Sequence, residues 1–182
     1  KYSGSALPVA IVCDTSPLSY LVLIGEVEVL PKLYGEVWVP PAVEEELLHP
    51  EGPPEVREQV GSGPEWLKVK FLSEKSLSEK STSEESPSGD LLSELSGETA
   101  ELVRDLDWGE RAAIQLAMGS ETSLLVIDER DGRRVAKELS IPITGTIGVL
   151  DLAGEEGLVG VRSAVDRLRE TSFRASPELY QW

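Results

Sequence analysis

Two aspartates stand where buried strands should end. Asp14 closes the apolar run "VAIVC" at 9–13, and Asp128 closes "LLVI" at 124–127. A carboxylate left unpaired in apolar surroundings is expensive, so each of these acids must have a polar task. Two tasks compete. An acid at this point can cap the turn or helix that follows, or it can take part in a site, because ligands of open parallel sheets bind beyond the carboxyl ends of the strands. Two acids delivered to one edge could share a divalent cation such as Mg2+, which prefers hard oxygen ligands and keeps several waters.

Further acids fall within reach of the same chemistry. In "PPAVEEELL" Glu46 follows Val43 by three residues and Ala42 by four, nearer their face than Glu44, which leaves Glu44 and Glu45 for water. The bland alternative is a solvated first turn favoured by the helix dipole. Glu110 ends "DWGE", whose spacing matches a capping box with Asp107 as N-cap. A metal-holding role for Glu110 requires that helix start to point at the strand ends. Asp131 precedes a helical stretch and reads as an N-cap. Around it lies the one basic concentration: Arg130 with Arg134, and Arg133 with Lys137, are four apart and could meet backbone phosphates.

Other chemistries lack their residues. His49 is the sole histidine and precedes Pro50, which leaves zinc sites and histidine triads without support. Cys13 is the sole cysteine, so no disulfide can form within the chain and a reducing compartment is favoured. No G-x-G-x-x-G and no G-x-x-x-x-G-K-[ST] occurs, and "TGTIG" is too short to count.

The elements that must position these acids follow from apolar patterning. The short β-branched runs before Asp14 and Asp128 read as strands buried on both faces. Ser16 and Pro17 read as N-cap and N1 of a helix to about Ile24, and a second helix runs from about Val27 to Tyr34, ended by Gly35. "EVWVPP" is a strand stopped by prolines, Ala42 to Leu48 a helix, 54–60 a further turn or two, and "WLKVKFL" at 66–72 an alternating strand. Helices are expected over 105–118, 133–139, Gly145 to Ala153 and Val161 to Glu170, with "IPIT" a short strand. Strands alternating with helices argue for an α/β fold with a parallel sheet covered on both faces. Strand order is not given by this pattern.

The 182 residues fit a single domain, 1–182. From Ser73 a polar pentamer repeats as "SEKSL", "SEKST" and "SEESP". Such a repeat cannot bury a face, so 73–89 is expected to be a disordered low-complexity insertion. Half of the net charge of −16 falls within 73–110. A chain this acidic gains no general attraction to nucleic acid, whose binding rests on lysine and arginine. No apolar stretch is long enough to span a bilayer and no signal-like pattern opens the chain, so the expectation is a soluble, cytoplasmic protein without a membrane partner.

Taken in order, "IVCDTSPLSYLVLIGEVEVLPKLYGEVWVPPAVEEEL", "LDWGERAAIQLA", "LLVIDERDGRRVA" and "IPITGTIGVLDLA" resemble the PIN-domain nucleases, in the branch related to VapC-type toxins. The likeness covers roughly 9–173, interrupted by the serine-rich repeat. It implies a three-layer α/β/α domain with a central parallel sheet and an acidic cluster binding Mg2+ or Mn2+. The family acids fall on Asp14, Glu46, Glu110, where many relatives have Asp, and Asp128. Asp131 is then a supporting acid, and Ser16 and Thr146 are hydroxyls that orient water or ligand. The implied activity is hydrolysis of single-stranded RNA to a 5′-phosphate and a 3′-hydroxyl, with Arg130, Arg133, Arg134 and Lys137 on RNA phosphates. Implied partners are an antitoxin protein and a second copy of the chain.

Two other classes compete. A non-catalytic PIN-like module would have its acids occupied by a partner's arginine. A receiver-like or phosphoryl-transfer domain also gathers acids at strand ends, but "DTSP" lacks the second Asp of a D-x-D loop and no Lys follows "IPIT".

Overall fold

A computed structural model of the chain describes residues 10–71, 101–119 and 124–174. The serine-rich repeat at 73–89 lies outside them. Among the described residues there are five strands: β1 (Ala10–Cys13), β2 (Glu36–Val39), β3 (Leu67–Val69), β4 (Leu125–Val126) and β5 (Ile143–Thr144). All pair in parallel, in the order β3-β2-β1-β4-β5. The helices are α1 (Thr15–Leu23), α2 (Val29–Tyr34), α3 (Pro41–Leu47), α4 (Pro54–Gly61), α5 (Trp108–Gly119), α6 (Arg130–Glu138), α7 (Thr146–Glu155) and α8 (Val161–Arg169). α3 packs on α5 and α5 on α6, while α7 packs on α2 and α8. The result is the expected three-layer α/β/α arrangement.

The central strands explain the continuous apolar runs. Ile11, Val12 and Cys13 of β1 and Leu125 and Val126 of β4 are fully enclosed, because helices cover both faces. At the edge, β3 is half-buried throughout, which accounts for its alternating, wetter sequence. Leu18, Leu21, Leu30, Ile114, Leu150 and Leu168 bring the helices onto this core. Gly35 ends α2 with φ 73°, a conformation open to glycine and costly for residues with a Cβ.

Several boundaries differ from the sequence reading for identifiable reasons. α1 starts at Thr15, with Asp14 in the N-cap position, so Ser16 is the second helical residue and Pro17 lies inside the first turn. Proline is tolerated there because first-turn amides have no intrahelical partner. α6 starts at Arg130 behind an extended Glu129, which moves Asp131 from the expected N-cap into the exposed first turn. α4, at eight residues, is the expected turn or two and runs one residue further, to Gly61. Among the described residues no helix is long and apolar enough to cross a membrane.

Candidate functional site

The strand order reverses between β1 and β4. The chain lays down β2 and β3 on one side of β1, then returns to place β4 and β5 on the other. This switch point is where the connections diverge and leave a crevice. The Asp14 amide donates to Val126 O at 3.0 Å, so the end of β1 is pinned two residues before Asp128.

Asp14 caps nothing. It occupies the N-cap position of α1 yet makes no capping hydrogen bond, and it is only 3 % exposed. Burial pushes its carboxyl up from 3.8 to about 7; the Thr15 backbone amide opposes the rise, and the charges of Asp107, Glu110 and Glu46 add to it. Those three acids therefore share its electrostatic neighbourhood. Cys13 beside it is fully buried, its thiol held well above the ordinary range mainly by burial and further by Asp14 and Asp128. It serves as a small apolar side chain.

The other acids are each tied to a neighbouring helix or helix start. Glu110 and Asp107 form the expected capping box: the Glu110 amide donates to Asp107 Oδ1 at 2.8 Å, and the Asp107 amide to Glu110 Oε2 at 3.3 Å. Glu110 is nonetheless 6 % exposed, and its Oε1 is buried without a well-formed hydrogen bond. Its pKa is raised, first by burial and then by Asp107. Asp128 turns to α7, where Oδ1 accepts from the Thr146 amide at 2.8 Å and Oδ2 from the Thr146 hydroxyl at 2.5 Å. Burial raises its pKa, while Thr146 and Arg133 pull it down. Glu46 Oε2 accepts from the Thr15 hydroxyl at 2.5 Å, so α1 and α3 are joined across the site.

Glycines make the room. A Cβ on Gly109 would stand 2.6 Å from Glu46 Oε1, one on Gly132 2.7 Å from Glu110 Oε1, and one on Gly145 2.6 Å from Asp128 Oδ1. Each of these three carboxylates thus lies against bare backbone. Thr15, Asp107 and these glycines are the contributors that sequence reasoning missed or read only as punctuation. Their signals were "DTS", "DWGE" and a glycine beside each acid motif.

Among the described residues no three His, Cys, Asp or Glu side chains are drawn together closely enough to make a ready-formed metal site. Glu46 is engaged with Thr15 and Asp128 with Thr146, and each ionised carboxylate keeps further lone pairs that a cation could use. Asp131 is exposed and ion-pairs weakly with Arg134 at 4.0 Å. The basic helix is also split. Arg133 Nη1 folds inward to the carbonyls of Ile127 at 2.6 Å and Thr144 at 3.0 Å, tying β4 to β5, while Arg130, Arg134 and Lys137 face solvent.

The family model DUF3368, described as a PIN domain, matches residues 10–182. The chain belongs to the PIN-domain family. No curated protein and no solved structure gives a significant match. PIN domains are generally nucleases and typically use divalent metal ions. The PIN-domain assignment agrees with the all-parallel sheet and its flanking helices.

Proposed function

We propose that this PIN domain is a divalent-metal-dependent endoribonuclease acting on single-stranded RNA, with Asp14, Glu46, Glu110 and Asp128 as the acids that hold Mg2+ or Mn2+. The observation that carries the reading is Asp14: a buried carboxyl at the strand-order reversal, free of any capping bond, surrounded by the charges of Glu46, Glu110 and Asp107. Its carboxyl has the Thr15 backbone amide beside it and no side-chain capping bond to the helix it precedes. The buried, poorly satisfied Oε1 of Glu110 supports the same reading, and an all-oxygen donor set suits Mg2+ or Mn2+.

When bound, such a cation lowers the pKa of a coordinated water and stabilises charge on the phosphodiester oxygens. The chain's own part is to present ionised carboxylates in a fixed array. Near neutrality Asp14 is divided between its protonated and ionised forms. Thr15 orients Glu46, Thr146 holds Asp128 by two hydrogen bonds, and the start of α5 presents Glu110. Arg130, Arg134 and Lys137 are the phosphate contacts. The Arg134–Glu138 pair, 3.1 Å apart and exposed, can exchange its carboxylate for a phosphate at little cost. The motif likeness further supports a VapC-type toxin, with an antitoxin protein and a second copy as partners.

The test is calorimetric Mn2+ binding by the wild type and by Asp14→Asn/Asp128→Asn, run beside cleavage of a mixed-sequence single-stranded RNA. Metal binding that the double variant loses, with metal-dependent cleavage by the wild type, is the expected result. Absence of metal binding overturns the proposal and favours a binding module, a reading supported by the internal bonds of Glu46 and Asp128.

A further inference from the structure

Beyond Asp128 the carboxyl edge opens into a groove of about 980 Å3 between α6, β5, α7 and the residues just after α8. Its floor is apolar, made by Ile143, Ile147 and Phe173. Phe173 is fixed by an edge-on contact with Tyr20, their ring centroids 5.0 Å apart, so the far wall is anchored to α1. The rim is cationic: Arg130, Arg134 and Lys137 stand on α6, and Arg174 stands on the far wall. Glu138 and Asp151 also line the groove, but Glu138 is engaged with Arg134. In a chain of net charge −16, this is where a polyanion meets cations instead of repulsion.

We propose that this groove carries the strand adjoining the scissile phosphate: a single-stranded polynucleotide with its backbone along Arg130, Lys137 and Arg174 and its bases turned to the apolar floor. The inference rests on the nuclease reading above, whose acid Asp128 is among the residues that line the groove. Single strands fit the combination of charge and apolar surface. A duplex turns its phosphates outward and would leave the floor uncovered. From Arg130 to Lys137 the helix advances about 10 Å, room for about three nucleotides at a stacked spacing of about 3.4 Å. An acidic protein segment matches the rim but gives no reason for one of the proposed metal-holding acids, Asp128, to line the groove.

The experiment is fluorescence anisotropy of a labelled single-stranded RNA oligomer in EDTA, titrated with the full chain over a range of salt. Lys137→Gln/Arg174→Gln removes two exposed rim cations, and Lys32→Gln on α2 serves as the control. The double variant should bind about tenfold more weakly, with a salt slope smaller by about 1.4, roughly 0.7 for each phosphate left without its cation. The control should match the wild type. Unchanged affinity and slope, with metal-dependent cleavage intact, overturn the groove and leave the nuclease reading standing. An oligoglutamate peptide of equal charge that binds as tightly, and loses as much in the double variant, overturns the groove in favour of a protein ligand. Failure of the nuclease reading looks different: the wild type shows no metal-dependent cleavage, while groove-dependent binding would still uphold the track.

Discussion

Asp14 carries a measurable conflict between folding and function. Its carboxyl has a pKa of about 7 in the fold and 3.8 as its ordinary value, so the folded state prefers it protonated. Its contribution to stability is full below about pH 4 and is lost as pH rises to about 7. Asp14→Asn removes this loss at constant shape. In metal-free protein at pH 8 the variant should therefore be more stable than the wild type by a few kcal/mol, at about 1.4 kcal/mol for each pH unit that separates the folded and ordinary values. The gap should close near pH 4, and urea midpoints at the two pH values check it. The same variant should lose at least a hundredfold in cleavage. Thr15 poses a gentler test. Thr15→Val deletes the hydroxyl that holds Glu46 and leaves the helix start intact. A hydrogen bond to a charged group is worth about 1.5–3 kcal/mol, so cleavage should fall about tenfold or more, but less than in Glu46→Gln.

At the scale of elements, the site is a meeting of helix starts. Those of α1, α5 and α7 carry or receive Asp14, Glu110 and Asp128, and their positive ends offset carboxylate repulsion. Glu46 enters sideways from α3 against Gly109, which makes that glycine a sensitive position. In Gly109→Ala the atoms nearest the new methyl are those at the far end of the flexible Glu46 side chain. The variant should keep its melting temperature within a few degrees and lose cleavage to the extent of Glu46→Gln. Parallel melts and rate measurements check this; full activity would remove Glu46 from the site. Much of this is legible in the sequence. Apolar runs closed by Asp14 and Asp128 reveal two central strands, and "DWGE" reveals a helix start with its capping box. The order of the strands is not legible, because β4 and β5 are two-residue ladders and local sequence carries no record of which neighbours they meet. Nor is the inward turn of Arg133, since helical spacing assigns it to a ridge with Lys137 and says nothing of the carbonyls below. Asp131 departs from its expected place because a capping acid and a first-turn acid differ by two positions along the chain, which the backbone of Glu129 decides.

For the whole molecule, a bound cation should couple to folding and to protons together. Mn2+ at a hundredfold excess over its dissociation constant should stabilise the fold by about 2.7 kcal/mol, and Asp14→Asn/Asp128→Asn should abolish that gain. Because Asp14 must lose its proton to serve as a ligand, affinity should weaken as pH falls below about 7. Calorimetry at pH 6 and pH 8 measures the difference, and equal affinities would remove Asp14 from the ligand set.

The reversal of strand order has a consequence for synthesis. Asp14 and Glu46 belong to the first half of the chain, Glu110 and Asp128 to the second, and β1 meets β4 across more than a hundred residues of sequence. A ribosome that has released only the first three strands has made half of the proposed cutting edge. On the nuclease reading proposed above, the blade is whole only once β4 seats beside β1, so a nascent chain would lack it until translation has passed Asp128.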